Sequence, residues 1–322
     1  MSVSFAGSPD RIEARLVPDA GFPFDSFRVS GLPRRPGLAQ ARALLLAGRA
    51  PAACGRILAA RQPHVVLGGG GYVAGPMIYA AWRKRIPAAL TEADAHLGLA
   101  NRLAAPFARR VFLAYPVAGR GGPKYRVVGR PVGPPPAVTP VEARSRFGLP
   151  EEGPVLLVFG GSLGAQALNE LALEAFAQAG PAVLHLCGER YLAGLQERPR
   201  RREYRLLAWT DDFPAALAAA DLVLARAGGS IWEVAAAGRP AVLVPSPNVT
   251  ADHQTMNARY FETAGGAVVV AERELVRVPE VVREILADGG RLVAMGAAMR
   301  DAAKPDAADE IAEELITLAA RR

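Results

Sequence analysis

Three glycine-rich segments of the sequence each follow a short apolar run and precede an alanine-rich stretch. They are VVLGGGGYVAGP (Val65–Pro76), VFGGSLGAQALNE (Val158–Glu170) and LARAGGSIWEVAAAG (Leu224–Gly238). A glycine turn between a strand and a helix exposes backbone amides at the helix N-terminus, where partial positive charge and free donors favour phosphate. Glycines there also relieve crowding between sheet and helix, so one turn alone leaves the two interpretations evenly balanced. The repetition of the pattern favours phosphate binding.

Polar residues beside these turns could bind a nucleotide sugar. Glu233 could accept hydrogen bonds from a ribose diol, although by itself its position is more typical of a glutamate that complements the helix dipole. Ser162 and the segment Gly228–Ser230 could meet a diphosphate or could simply form turns and caps. In ADHQTMNA the amide of Gln254 suits sugar hydroxyls, and Asp252 could instead cap the helix that follows.

The charge is divided unequally along the chain. Residues 1–140 hold 19 basic and 6 acidic residues, whereas residues 141–322 hold 19 basic and 25 acidic residues. We therefore expect an anionic partner for the N-terminal part. Glu92 and Asp94 are the only carboxylates between Ser26 and Pro140, which marks them either as site residues or as simple charge balance.

Composition and motifs disfavour several classes of protein. No apolar run reaches the roughly 18 residues of a membrane span. Cys54 and Cys187 lie far apart in apolar surroundings, which indicates buried thiols in a reducing cytoplasm. The turns lack the nicotinamide fingerprint and the P-loop lysine, and the four histidines lack metal-ligand spacing, so each histidine is interpreted as a structural residue.

The secondary-structure pattern predicts an α/β fold. Apolar, β-branched runs alternate with amphipathic, alanine-rich stretches on both sides of the proline-rich segment PVGPPPAVTP (Pro131–Pro140). Repeated strand–turn–helix units indicate parallel sheets, and proline lacks the amide that helices and sheets require. We expect two domains joined by this stiff connection.

Five segments, in this order and at this spacing, resemble the MurG family of bacterial glycosyltransferases: GGGGYVAGP, TEADAHLGLANRLAAPFARRV, GGSLGAQALNE, AGGSIWEVAAAGRPAVLVPSP and ADHQTMNARYFETAGGAVVV. The resemblance covers nearly the whole chain and implies two Rossmann-like domains of the GT-B type with a cleft between them. It implies an acceptor and membrane-side domain at residues 1–134 and a UDP-GlcNAc-binding domain at residues 135–322, with the last helix returning to the first domain.

The resemblance also implies an activity. The C4 hydroxyl of the muramyl sugar of lipid I, undecaprenyl-pyrophosphoryl-MurNAc-pentapeptide, would attack the anomeric carbon of UDP-GlcNAc with inversion and loss of UDP. The product, lipid II, serves peptidoglycan synthesis and hence cell shape and division. We expect no cofactor and no obligatory metal, a location at the cytoplasmic face of the inner membrane, and contacts with other cell-wall synthesis proteins. The alternatives are a GT-B enzyme with another lipid acceptor and a non-catalytic protein that binds UDP-sugars or membranes.

The resemblance assigns roles to single residues as well. Those at the donor are Ser162, Thr210, Gly228, Gly229, Ser230, Glu233, Gln254 and Asp94, with Glu233 at the ribose and Gln254 at the GlcNAc ring. Those at the acceptor diphosphate are Gly69, Gly70, Gly71 and Tyr72. Glu92 is the candidate catalytic residue.

The sequence departs from the family pattern at several places. The family begins with a strand and a GGTGGH turn whose histidine is a candidate general base, and about one βα unit, on the order of 30 residues, is expected to be absent here. Thr91 and Asp94 stand where the family usually has histidine and asparagine. Gly133 stands where the family commonly has an arginine near the diphosphate, and Arg130 is the nearest substitute.

The segment Pro36–Pro63 combines an apolar stripe with arginines and predicts contact with an anionic membrane surface. The residues concerned are Leu38, Ala41, Leu44 and Leu45 with Arg34, Arg35, Arg42, Arg49, Arg56 and Arg61, extended by Trp82, Arg83, Lys84 and Arg85. The alternative is an ordinary helix that packs Leu44 and Leu45 on its own sheet.

Overall fold

The computed structural model describes residues 2–31, 37–134 and 137–321. The chain divides into two compact units. The first, called here the N-terminal unit, comprises residues 1–128 together with residues 309–322, and the second, the C-terminal unit, is Gly129–Ala308.

The N-terminal unit is built of parallel strands with intervening helices. In chain order its elements are β1 (Phe5–Gly7), α1 (Glu13–Asp19), β2 (Phe24–Ser26), α2 (Leu38–Arg61), β3 (Val66–Gly68), α3 (Gly71–Arg83), β4 (Ala88–Glu92), α4 (Leu99–Ala104), β5 (Arg110–Leu113) and β6 (Tyr125–Val127). Strands β1 and β2 form one parallel pair, and β3-β4-β5-β6 form a separate four-stranded parallel sheet.

Helices cover both faces of the four-stranded sheet. Helix α2 turns Ala50, Cys54 and Leu58 inward, a spacing of four residues that places one apolar stripe against the core. On the opposite side Ile311 and Leu318 pack with Ala89, Phe112 and Val128. These two residues belong to α13 (Ala307–Ala320), the last helix of the chain.

An ion-pair cluster holds α13 to the sheet. The Glu314 carboxylate accepts from Nε of Arg110 at 2.6 Å and from Nη1 of Arg126 at 2.7 Å. Burial acts to raise the pKa of Glu314, but the two arginines outweigh it and hold that pKa below its ordinary value. The last helix is therefore fixed to the N-terminal unit by both apolar and charged contacts.

The C-terminal unit has one six-stranded parallel sheet. Its elements are α5 (Pro140–Phe147), β7 (Val155–Phe159), α6 (Gln166–Phe176), β8 (Ala182–Leu186), α7 (Glu189–Leu195), β9 (Tyr204–Leu207), α8 (Phe213–Ala219), β10 (Leu222–Ala225), α9 (Ile231–Ala236), β11 (Ala241–Leu243), α10 (His253–Thr263), β12 (Ala267–Val269), α11 (Val278–Ala287) and α12 (Gly289–Ala302). The strand order is β12-β11-β10-β7-β8-β9.

This order is the Rossmann arrangement of a doubly wound sheet. The chain winds outward from β7 through β8 to β9, then returns to the other side of β7 with β10. All five residues of β7 are buried, as expected for a central parallel strand with helices on both faces. The prediction of an α/β fold with parallel sheets is confirmed.

Candidate functional site

The winding direction of the C-terminal sheet reverses between β7 and β10. Ligands of open α/β sheets bind at the carboxyl ends of the strands at such a point. Two of the predicted glycine turns leave the sheet there: the Gly160 turn (Gly160–Gly164) after β7 and the Gly228 turn (Gly228–Ser230) after β10. The topology thus brings together two segments that lie more than sixty residues apart in the sequence.

The glycines of these turns serve two purposes. A methyl group on Gly160 would collide with the backbone of Ala165, and one on Gly164 would collide with the carbonyl of Cys187. Crowding within the protein therefore requires a glycine at both of these positions. Gly161, with a φ of 85°, and Gly228 face open space. Helix α6 begins after Ala165 without a side-chain cap, so its first amides are available to an anion.

Ser162 lies exposed at the tip of the Gly160 turn. Gly160 to Gly164 also match the G-x-S-x-G pattern of serine-hydrolase nucleophile turns, which likewise connect a strand to a helix. Such a serine needs a histidine as base, and within the described residues the Ser162 hydroxyl makes no hydrogen bond to one. Both ring nitrogens of His185 are engaged, by Tyr204 at 2.8 Å and Asn169 at 3.0 Å. The geometry favours ligand binding over a nucleophilic serine.

Arg130 lies against the Gly228 turn. A methyl group added to Gly229 would stand 2.5 Å from Nη1 and 2.7 Å from Cζ of Arg130, so only a glycine permits this approach. The guanidinium also acts on Glu233, in the first turn of α9. Burial raises the pKa of Glu233 above its ordinary value, while a hydrogen bond from Ser230 and the charge of Arg130 oppose that rise. Arg130, Ser230 and Glu233 form one polar cluster at the carboxyl edge.

The start of α10 supplies a further polar group. Oε1 of Gln254 accepts from the amide of Ser246 at 2.9 Å, which fixes the orientation of its amide group. Its Nε2 makes no hydrogen bond within the described residues. Asp252 stands at the start of α10, as one interpretation supposed, but its carboxylate accepts from the Thr255 hydroxyl at 2.7 Å and caps no backbone amide.

Two residues have supporting roles that the sequence did not predict. Asn257 is buried in α10 and donates to the carbonyl of Ala227 at 3.3 Å, directly before the Gly228 turn. Arg226 donates to the carbonyls of Val244 and Pro245 and pairs with Glu272. Both roles depend on the fold, and no local pattern in the sequence indicates them.

Thr210 follows β9, which is the edge strand of the sheet. Its hydroxyl accepts from the amide of Asp212 at 3.1 Å, and Asp212 caps α8. The next residue, Phe213, packs edge-on against Phe159 with ring centroids 5.2 Å apart. This contact places the start of α8, which follows the Thr210 loop, beside the carboxyl end of β7.

In the N-terminal unit, the Gly69 turn (Gly69–Tyr72) follows β3 and opens α3. Gly70 and Gly71 have φ values of 91° and 68°, a region that favours glycine. No side chain caps the first amides of α3. The Tyr72 hydroxyl accepts from Nε of Arg11 at 3.1 Å, which adds a cation beside the turn. The arrangement suits an anion.

Glu92 ends β4, and its buried carboxylate organises the loop that follows. Oε1 accepts from the amides of Ala93 (3.0 Å) and Asp94 (3.4 Å). Oε2 accepts from the amide of Gly98 and from Nδ2 of Asn101, both at 2.9 Å. Each oxygen already accepts two hydrogen bonds. The loop lies beside the Gly69 turn, because a methyl group on Gly70 would be 3.5 Å from the carbonyl oxygen of Thr91.

No group of three or more metal-ligating side chains occurs in the described part of the chain. Nor does any helix among the described residues have the length and apolarity to span a membrane.

Comparison with known proteins adds to this geometry. Residues 1–113 match the glycosyltransferase family 28 N-terminal domain, and residues 155–311 match the C-terminal domain of the same family. The crystal structure of Acinetobacter baumannii MurG superimposes with a TM-score of 0.75 at 27% identity, over 98% of this chain and 91% of that one.

Curated relatives agree. The UDP-N-acetylglucosamine--N-acetylmuramyl-(pentapeptide) pyrophosphoryl-undecaprenol N-acetylglucosamine transferase of Salinibacter ruber is 41% identical over 99% of this chain and 89% of its own length. The transferase of the same name from Rubrobacter xylanophilus is 39% identical over 98% and 94%. The chain belongs to the MurG family. The resemblance predicted from the five motifs is thereby confirmed, as is the prediction of Rossmann-like domains of the GT-B type.

Family membership bears on which residue places a guanidinium at the Gly228 turn. At Gly133, where the family commonly has an arginine, the backbone has open space around it. The guanidinium that reaches the Gly228 turn comes instead from Arg130, three residues earlier. A role of Arg130 at the diphosphate stays a prediction.

Proposed function

We propose that the protein transfers N-acetylglucosamine from UDP-GlcNAc to the C4 hydroxyl of the muramyl sugar of lipid I, with inversion, to form lipid II. Family membership supports the reaction, and one observation supports the donor site: the Gly160 and Gly228 turns meet at the reversal point of the C-terminal sheet, beside the half-buried Glu233.

The C-terminal unit would hold the donor. Glu233 would accept hydrogen bonds from the ribose hydroxyls, and Gln254, whose amide is fixed through Ser246, would donate from Nε2 to the GlcNAc ring. The amides at the start of α6 and the Ser162 and Ser230 hydroxyls would surround the diphosphate. Thr210, in the loop after β9, and Asp94 complete the proposed donor contacts.

Arg130 would stabilise the leaving group. As the bond from the anomeric carbon to the diphosphate breaks, negative charge grows on the phosphate oxygens, and a fixed cation at that place lowers the barrier. The guanidinium is held at the Gly228 turn before the reaction begins, because Gly229 leaves room for it. Stabilisation of this kind typically contributes about 10²–10³ in kcat.

The N-terminal unit would hold the acceptor. The Gly69 turn, with Arg11 beside it, would bind the diphosphate of lipid I through Gly69, Gly70, Gly71 and Tyr72.

The acceptor hydroxyl must also lose a proton. Because both oxygens of Glu92 accept two hydrogen bonds each, we propose that Glu92 positions the loop Ala93–Gly98. The proton would pass to His96 in that loop. Its half-buried imidazole makes no hydrogen bond within the described residues, so a ring nitrogen is available as an acceptor.

We further propose that the N-terminal unit contacts the anionic inner face of the plasma membrane, where its lipid substrate resides. Leu45 and Trp82 are about half exposed, at 54% and 50%, and Arg83, Lys84 and Arg85 are exposed beside Trp82. A methyl group on Gly55 of α2 would be 3.7 Å from Lys84, so the two segments adjoin. Arg34 and Arg35 lie outside the described residues, as do the side chains of Leu38, Ala41, Arg42 and Leu44.

A transfer assay with radiolabelled UDP-GlcNAc tests the proposal. The expected result is label on a lipid I analogue with release of UDP, and loss of that label in the Glu233→Ala variant. Transfer only to a different polyprenyl acceptor would point to another GT-B activity. UDP binding without transfer to any acceptor would indicate a non-catalytic binding protein. Cosedimentation with vesicles, stronger with anionic lipid and weaker with salt, tests the membrane contact.

A further inference from the structure

A cavity of about 480 Å³ opens at the carboxyl ends of β1 and β2. Its walls come from the segments after these two strands and from the middle of α2. Three of its lining residues are arginines, namely Arg28, Arg49 and Arg56, and Ser26 adds a hydroxyl. Phe27 and Ala50, which are 4% and 1% exposed, form an apolar floor. The residues of the Gly69 turn do not line this cavity.

The cavity carries uncompensated positive charge. No carboxylate is among the lining residues that the structure describes. Within the described parts of the chain, none of its three guanidinium groups makes an ion pair or a hydrogen bond. The neighbouring carboxylate of Asp25 is already engaged by Arg61, at 2.8 Å to Nε and 3.2 Å to Nη2. The three arginines are exposed, and together they raise the positive potential around the open cavity, which favours a bound anion.

The chemistry of the lining suits a phosphate group. Guanidinium groups present a planar fork of donors that matches phosphate oxygens, and a serine hydroxyl can donate to another oxygen. A phosphomonoester carries close to two negative charges at neutral pH, which three arginines can balance. The cavity exceeds the size of one phosphate, and its apolar floor leaves room for the carbon atoms to which the phosphate is attached.

We propose that Arg28, Arg49, Arg56 and Ser26 form a binding site for a phosphomonoester or diphosphate group, separate from the donor and acceptor sites described above. The same chemistry fits a free phosphorylated metabolite and the headgroup of a phosphomonoester lipid. The proposal does not depend on the transferase activity, because it rests only on this cavity and its charges.

Binding is measured on the full chain with two probes. Inorganic pyrophosphate, titrated by calorimetry in the presence of saturating UDP, represents the free source. Phosphatidylcholine vesicles that contain phosphatidic acid represent the lipid source, with phosphatidylcholine vesicles alone as the reference. We expect saturable binding of at least one probe and a loss of about tenfold in affinity for each arginine replaced by glutamine.

Two further variants isolate the site from general charge. The triple variant Arg102→Gln/Arg109→Gln/Arg321→Gln removes the same charge from exposed arginines of the same unit and should retain binding. Ala53→Phe fills the cavity without changing any charge and should abolish the part of the binding that depends on Arg28, Arg49 and Arg56. UDP affinity and the thermal unfolding temperature show that each variant is folded.

The two probes distinguish a soluble ligand from a lipid headgroup. Binding of pyrophosphate alone assigns a soluble ligand, and binding of the phosphatidic acid vesicles alone assigns a lipid. If the Arg28, Arg49 and Arg56 variants lose no more affinity than the charge-matched triple variant, or if neither probe binds, the cavity is no phosphate site and the proposal is wrong.

Discussion

The contact between Arg130 and Gly229 allows the leaving-group proposal to be tested by adding one methyl group. In Gly229→Ala the new methyl would stand 2.5 Å from Nη1 of Arg130, whereas an ordinary contact is about 3.5 Å. The guanidinium must therefore retreat by about 1 Å. Gly229 is not among the residues with positive φ, so the alanine itself introduces no backbone strain.

The expected magnitude follows from Coulomb's law. For one unit of charge and an effective dielectric constant of about 20, moving the guanidinium from about 4 to about 5 Å from a phosphate oxygen costs about 0.8 kcal/mol. That corresponds to about a fourfold fall in kcat. Removal of the guanidinium in Arg130→Ala should cost about 10²–10³ in kcat.

A double-mutant cycle decides whether the methyl acts through Arg130. Initial rates with UDP-GlcNAc and a lipid I analogue are measured for Arg130→Ala, Gly229→Ala and the double variant, with exposed Arg202→Ala as the control. We expect the double variant to be no slower than Arg130→Ala alone. If Gly229→Ala slows the reaction by the same factor in both backgrounds, the methyl disturbs the donor directly and the reasoning fails. An unchanged kcat in Arg130→Ala would remove the role of the guanidinium altogether.

Further perturbations address the other parts of the site. Glu233→Ala should weaken UDP binding by about 1–3 kcal/mol in calorimetry, with exposed Glu280→Ala as the control, and unchanged affinity would leave Glu233 as a helix-dipole residue only. Glu92→Gln turns one acceptor oxygen into a donor facing other donors, so it should lower the thermal unfolding temperature. His96→Gln should instead lower kcat by about 10²–10⁴ at unchanged stability, and an unchanged kcat would exclude His96 as the base. Because the pKa of Glu314 is held below its ordinary value when folded, its contribution of about 1 kcal/mol should be present above the unfolded pKa and disappear as the pH falls through the folded one. Urea unfolding of wild type and Glu314→Gln should therefore differ at pH 7 and converge in acid.

The sequence predicted the elements well because their signals are local. Alternation of apolar runs, glycine turns and alanine-rich stretches identified the parallel βα units, and the motif order identified the family. Local signals could not show which glycines are required by crowding within the protein and which face open space. Gly160 and Gly164 are required by the backbone of Ala165 and the carbonyl of Cys187, whereas Gly161 and Gly228 face open space. The Cys187 carbonyl is more than twenty residues from Gly164, so only the fold reveals that contact.

Features of the site that depend on the fold were also not predicted from the sequence. Glu92 was singled out because acidic residues are scarce near it, but its four hydrogen bonds come from Ala93, Asp94, Gly98 and Asn101 and depend on the path of the loop. The role of Asn257 depends on the packing of α10 beside the Gly228 turn. Arg130 could be considered only through a family comparison, because nothing in its local sequence points toward Gly229.

The position of α13 has a consequence for the order in which the protein folds during synthesis. Ile311 and Leu318 cover Ala89, Phe112 and Val128 of the N-terminal unit, but the ribosome must first make the whole of Gly129–Ala308. At about 5–20 residues per second, that delay is on the order of ten to forty seconds. By the end of this time all strands of the C-terminal unit have been made and that unit can fold. One apolar face of the N-terminal sheet is still exposed, because α13 has not yet been made. The part of the protein that is made first is thus completed last, and a nascent chain stalled before Ile311 would expose that face to chaperones.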